Sequence, residues 1–229
     1  MFNEPNNRVN FPQHTNFWVR IFELKPNNSP SNSLSLMDRF TKVKTKLHEK
    51  LNADCQIFSP GICLSEKHLD LVFYFVEKTF RMKNNISSQP AMEFLLYLSR
   101  QRQIKAAIEI SGIMNAKDKV LPPSFGFISF GSPVVNDISN DDLSPLLEVY
   151  NCKILSSPSF DQLIQWISYQ KISDSLLRRY FLAYNISVSQ DQQIIDVLRS
   201  ISVEQLEQIL LDILSEQMTA LYLSNQKSE

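Results

Sequence analysis

Only four glycines, Gly61, Gly112, Gly126 and Gly131, occur in 229 residues. A phosphate-binding loop or a dinucleotide fingerprint needs several glycines close together, so neither can be built here, and the common nucleotide-dependent enzymes are excluded. Cysteine is as scarce. Cys55, Cys63 and Cys152 form an odd set with no C-x-x-C pair, which argues against a disulfide framework and a thiolate zinc site. All three are expected to be reduced structural thiols. His14, His48 and His68 are scattered, and none has a second ligand at metal-binding spacing. No metal and no cofactor are expected. Neither sign of charge dominates, with 23 Lys and Arg against 24 Asp and Glu. Any nucleic-acid site must therefore be a local patch, because no global field draws the chain to a polyanion or an anionic membrane. Long apolar runs are missing too: none approaches the roughly 20 residues of a membrane span. The opening residues are polar where a signal peptide would be apolar. The expectation is a soluble chain with no membrane partner, cytoplasmic, and nuclear as well in a eukaryote.

Catalytic constellations are also lacking. No G-x-S-x-G elbow is present. Cys63 and His68 are the one sequence-near nucleophile and base, and they read as a buried thiol and a helix-surface imidazole. Asp141 and Asp142 read as a helix N-terminus, and Glu93 as a polar position on a helix. No catalytic residue is assigned, and the chain is expected not to be an enzyme.

What is present is a helix-rich pattern with a few strands. Residues 1–16 read as a disordered or loosely attached leader, and residues 17–225 as one domain. FWVRIFEL at 17–24 alternates as a strand covered on both faces, and 26–33 is a loop. Leu36, Phe40, Val43 and Leu47 recur at helical spacing, with the lysines at 42, 44, 46 and 50 mostly on a solvated face. CQIFSPGICL at 55–64 reads as a strand interrupted by Pro60-Gly61, with Ser65 as N-cap of the next helix. That helix is apolar all round, and a second one follows Pro90 and runs on to a C-cap at Gly112. FGFISFG at 125–131 is a central strand, and a short helix begins near Asn140 or Asp141. From Lys153 the chain turns helical, with capping boxes at Ser159…Gln162, Ser189…Gln192 and Ser202…Gln205. The fold class is α+β: a small mixed or antiparallel sheet packed against several helices, with a helical C-terminal part.

The unusual stretch is LYLSRQRQIKAAIEISGI at 96–113, where Arg100, Gln101, Arg102 and Gln103 lie between two apolar helices. Guanidinium forks at such a junction suit phosphate oxygens, with Tyr97 for stacking and Lys105 for added charge. The plainer reading is a polar helix corner in which Arg102 braces backbone carbonyls.

Four blocks, S-E-K-H-L at 65–69, M-E-F-L-L-Y-L-S at 92–99, R-Q-I-K-A-A-I at 102–108 and G-I at 112–113, resemble the small kinase-binding subunit of the KEOPS complex, known in eukaryotes as PRPK-binding protein. The likeness covers about residues 54–131 and is only topological from there to about 224. One departure stands out, since the family usually has Gly where this chain has Arg100. The resemblance implies a non-catalytic subunit of the complex that installs threonylcarbamoyladenosine in tRNA. Its partners would be the kinase-like ATPase subunit and the single-stranded 3′ CCA end of tRNA. An unpaired RNA end is held by stacking and a local cationic groove, so a net charge near zero is no obstacle. On that reading Arg102, with Gln101, Gln103, Arg100 and Lys105, holds the tRNA tail, and Lys67, His68 and Lys83 are secondary candidates. Phe73, Val76 and Phe80, with Leu214, Met218 and Leu221 on the last helix, are the expected kinase-facing residues. The alternative is a scaffold for the kinase without RNA binding.

Overall fold

The structure, a computed structural model, describes residues 16–26, 35–111, 122–131, 138–153, 157–189 and 192–226. Nearly all of the leader, most of the 26–33 loop and the Gly112 cap lie outside the described residues.

Four strands form one sheet: β1 (Asn16–Leu24), β2 (Asp54–Phe58), β3 (Ser124–Gly131) and β4 (Tyr150–Lys153). Their order is β2-β3-β1-β4, and every pairing is antiparallel. Both faces are covered, as the adjacent buried pair Ile21 and Phe22 on β1 requires. One face carries Phe22, Cys55, Ile57, Phe125 and Phe127, and it packs on α1 (Leu36–Leu51) and α5 (Ser144–Leu147). The other carries Ile21, Phe58, Ile128 and Phe130. It lies under α2 (Glu66–Met82) and α3 (Pro90–Ser99); α2 packs in turn on α9 (Val203–Gln226), which carries α6 (Phe160–Tyr169) and α7 (Asp174–Ala183), with α8 (Ile194–Ser200) against α7. The α+β class and the helical C-terminal part stand as the sequence implied, with an antiparallel sheet between two helical layers.

Local chemistry explains the helix starts. Ser35 and Asp38 close a capping box on α1, and Leu36, Phe40, Val43 and Leu47 fill its buried stripe. Ser159 and Gln162 do the same for α6, and the Ser202 hydroxyl accepts the Gln205 N–H at the start of α9. The Ser189 box does not start a helix, because α8 begins at Ile194 with Gln193 as N-cap. Ser65 stands at the α2 N-cap position, but its hydroxyl caps nothing and is buried without a partner. The strand at 55–64 is interrupted at Pro60-Gly61 as expected, but it does not resume: β2 ends at Phe58, and Pro60–Ile62 form a 3₁₀ turn that leads into α2. The short strand β4, edge to β1, interrupts what reads as the approach to a helical region. It leaves Cys152 exposed, whereas Cys55 and Cys63 are buried.

Buried polar groups tie the layers. The Ala91 N–H at the start of α3 donates to the Asp54 carboxylate on β2 at 2.8 Å. Glu93, the polar position on α3, is fully buried and accepts the backbone N–H groups of Ile86 and Ser87. Burial pushes its carboxyl up from the ordinary value, against those N–H donors.

The residues expected to face a kinase belong to this core. Phe73, Val76, Leu214, Met218 and Leu221 are each at most 6% exposed, and Phe80 is half-buried against the same cluster. Phe73 stacks on Phe94 of α3 and meets Phe130 of β3 edge-on. An apolar stripe reports burial, and here the helices themselves supply the cover. The large apolar side chains these two helices leave exposed are Tyr74, Met82 and Leu223.

Candidate nucleic-acid interface

The stretch from Ser99 to Ile104 is a junction between α3 and α4 (Ile104–Ser111). Helix α3 starts at Pro90, which needs no N–H partner there, and buries Phe94, Leu95, Leu96, Tyr97 and Leu98. It ends because Arg100 turns left-handed, at φ 56° and ψ 36°. The Arg100 N–H donates to the Tyr97 carbonyl at 3.1 Å and the Gln101 N–H to the Leu96 carbonyl at 2.9 Å. That paired closure is a Schellman cap, in which the left-handed position ordinarily favours glycine. The chain then swings outward until the Gln103 carbonyl accepts the Ala107 N–H and α4 begins.

The turn sorts the four polar residues into two groups. Arg102, Gln103 and Lys105 are exposed, and Gln101 is half-buried with its amide 3.3 Å from the Ser99 carbonyl. Arg100 points inward. Its guanidinium donates to the side-chain oxygens of Gln170, at the C-terminal end of α6, and Gln217 on α9. Its central carbon lies 5.9 Å from the Trp166 ring. A pocket of about 350 Å³ opens beside it, lined by Ser99, Arg100, Gln101, Gln170, Gln217 and Ala220.

Three of the expected contacts are elsewhere or inaccessible. His68 is fully buried, not on the helix surface, and its Nδ1 accepts the Leu64 N–H at 3.1 Å. Burial first, then the nearby Arg100 charge, pushes its pKa down to about 3, so it is a neutral core imidazole. Burial likewise raises the Cys63 thiol far above its ordinary value, so Cys63 and His68 do not supply a thiolate and an imidazolium. Tyr97 is fully buried, stacked on Phe75 at 5.4 Å, and offers no platform to a base. Lys83, exposed at the C-terminal cap of α2, is about 24 Å along that helix from Lys67 at 1.5 Å per residue. Lys67 sits at the other end, next to His68 in sequence, exposed and paired with Glu207 at 2.9 Å. The Trp166 ring, 6.1 Å from His68 and 5.9 Å from the Arg100 guanidinium, places that end of α2 near the junction.

A feature with no sequence signal lies across α6. The 3₁₀ turn and α6 enclose a cleft of about 360 Å³, with Trp166 as a wall and exposed Tyr169 at its mouth. The Trp166 indole N–H donates to the Ile62 carbonyl at 3.0 Å, which fixes that wall. Among the described residues no group of three His, Cys, Asp or Glu side chains is placed to hold a metal. None of the described helices is long and apolar enough to cross a membrane.

No protein-family model matches this chain, and no curated protein matches it.

Proposed function

We propose that the chain is a non-catalytic subunit of a KEOPS-type complex, holding the unpaired 3′ CCA end of tRNA at the α3–α4 junction and binding the kinase-like ATPase of that complex. The observation that carries this reading is the junction itself. A left-handed cap ends an otherwise buried helix and is followed by the exposed residues Arg102, Gln103 and Lys105, with a polar pocket lined by the adjoining Arg100 and Gln101. The resembled family has glycine at the position of Arg100, and a left-handed φ is the geometry that selects glycine. Two cations with the Gln103 amide between them suit the phosphates of a short single strand, where contacts are few and screened by salt. Arg102, Gln103 and Lys105 are assigned to the tail, with Gln101 and Lys67 at the margins. The buried His68 and distant Lys83 are not. For the kinase-like partner the exposed Tyr74, Met82 and Leu223 replace the buried stripe.

The test is binding of intact tRNA and of tRNA trimmed of its CCA end. Trimming, or Arg102→Glu, is expected to abolish the interaction, and equal binding of both tRNAs overturns the reading. The inward turn of Arg100 favours a second reading, a kinase scaffold that does not bind RNA. Under it the kinase co-purifies with wild-type chain and Arg102→Glu alike, and neither binds tRNA.

A further inference from the structure

Arg100 is a half-buried cation without an acid. Its two hydrogen-bond partners are neutral amide oxygens, on Gln170 and Gln217, and among the described residues no carboxylate pairs with it. Burial alone moves its pKa, down to about 10, and no neighbouring charge acts against that. Removing a guanidinium from water is costly unless an opposite charge or full hydrogen bonding offsets it. The available compensation is partial. Gln170 lies at the α6 C-terminus, where a helix end carries roughly half a negative charge, and the Trp166 ring adds a weak cation–π attraction. A positive excess remains.

The donors around that excess belong to residues that line one pocket. Two guanidinium N–H groups are spent on the glutamines, leaving three of the five. The Gln170 Nε2 is buried and has no hydrogen-bond partner. The Gln101 amide has only a long contact to Ser99. All three side chains line one pocket of about 350 Å³, and none of its lining residues is acidic. We infer that this pocket is an anion site that takes a phosphate group, with Arg100 as its cation and the Gln170 and Gln101 amides as neutral donors. A bound phosphate supplies the missing counter-charge, and a small turn of the Gln170 side chain would let its orphaned amide donate to it. The same chemistry could come from a backbone phosphate of single-stranded RNA or from a free phosphate ligand. Only the first source rests on the function proposed above. The site also gives Arg100 a reason to occupy a left-handed position at φ 56° that glycine would fill without strain.

The experiment titrates the full-length chain, carrying Trp18→Phe so that Trp166 is the one tryptophan left, with inorganic phosphate at constant ionic strength, following tryptophan fluorescence. Acetate serves as the control anion. Arg100→Gln removes the charge, and Arg100→Gly removes it while relieving the left-handed residue, so at least one variant folds. The expected result is a saturable signal for phosphate but not acetate, weakened about tenfold or more in both variants. No saturable signal in the Trp18→Phe chain, or equal affinity in the variants, overturns the inference. A cytidine-cytidine-adenosine trinucleotide then identifies the source. Competition with phosphate, lost in Arg100→Gly, assigns the site to the RNA backbone. A phosphate signal without competition supports a free phosphate ligand and counts against the RNA reading alone. CCA-dependent tRNA binding with a flat phosphate titration sinks the anion site alone.

Discussion

Phe58 closes over Gly126. The two are register partners across β2 and β3, and a Cβ on Gly126 would stand 2.2 Å from the tip of the Phe58 ring. The ring has nowhere to go, being fully buried and set edge-on to Phe94 at 5.3 Å. Gly126→Ala is therefore expected to destabilise the chain by about 1–3 kcal/mol, the ordinary cost of overpacking. Urea unfolding measures it. In a Phe58→Leu background the added cost should shrink, and an unchanged cost in the double mutant refutes the contact as its cause.

This packing was only half legible in the sequence. FGFISFG announces a central strand because it carries no charge, but nothing local says which of its residues meets a ring from the next strand. The same division runs through the molecule. Helices α1, α6 and α9 are readable because a serine cap and an apolar stripe sit together in one stretch of chain. Strand β4 is not, since its four residues are defined by pairing with β1, over a hundred residues earlier. A stripe such as Phe73, Val76 and Leu214 says that a face is covered but not by what. In the site, Arg102 and Lys105 are exposed, which the spacing alone leaves open. The inward turn of Arg100 depends on Gln170 and Gln217, 70 and 117 residues away, which no spacing rule reaches.

Asp142 is a clamp between α1 and the turn before α5, not simply a helix-start residue. Its carboxylate is 2.7 Å from the Lys50 ammonium, 3.4 Å from that of Lys46, and accepts the Ser139 N–H and hydroxyl. Burial alone would raise its pKa, but these donors hold it well below the carboxylate range. A folded pKa below the unfolded one means that stability is present above the unfolded value and lost as pH falls through the folded one. Asp142→Asn is expected to cost about 1–3 kcal/mol at neutral pH and less below about pH 4. A constant cost across that range in urea titrations would remove the clamp.

His68 works in a higher pH window. Its folded pKa of about 3 lies below the 6.5 of a free imidazole, so the unfolded chain binds the proton first. Stability is full above about pH 6.5, falls by up to ~1.4 kcal/mol per pH unit on acidification, and levels off below about pH 3. His68→Asn keeps an acceptor near the position of Nδ1 for the Leu64 N–H and cannot titrate. From about pH 7 to about pH 5 the wild type is expected to lose up to ~2 kcal/mol more than this variant. Parallel pH profiles for the two proteins would show that His68 is protonated in the fold.

The placement of the cations separates true tail contacts from ordinary surface charge through salt dependence. For single-stranded nucleic acid the slope of log affinity against log salt falls by about 0.7 for each phosphate contact removed. Arg102→Gln and Lys105→Gln should each flatten the slope for the CCA trinucleotide by about that amount. Lys67→Gln should do less, because Lys67 sits on the first turn of α2, at the margin of the junction and not in it. Lys83→Gln should leave the slope unchanged, since Lys83 caps the far end of α2. The ranking matters more than any single value. Four equal slopes would mean that the RNA responds to net charge and not to the junction. A loss at Lys83 alone would put the RNA at the opposite end of the helix pair.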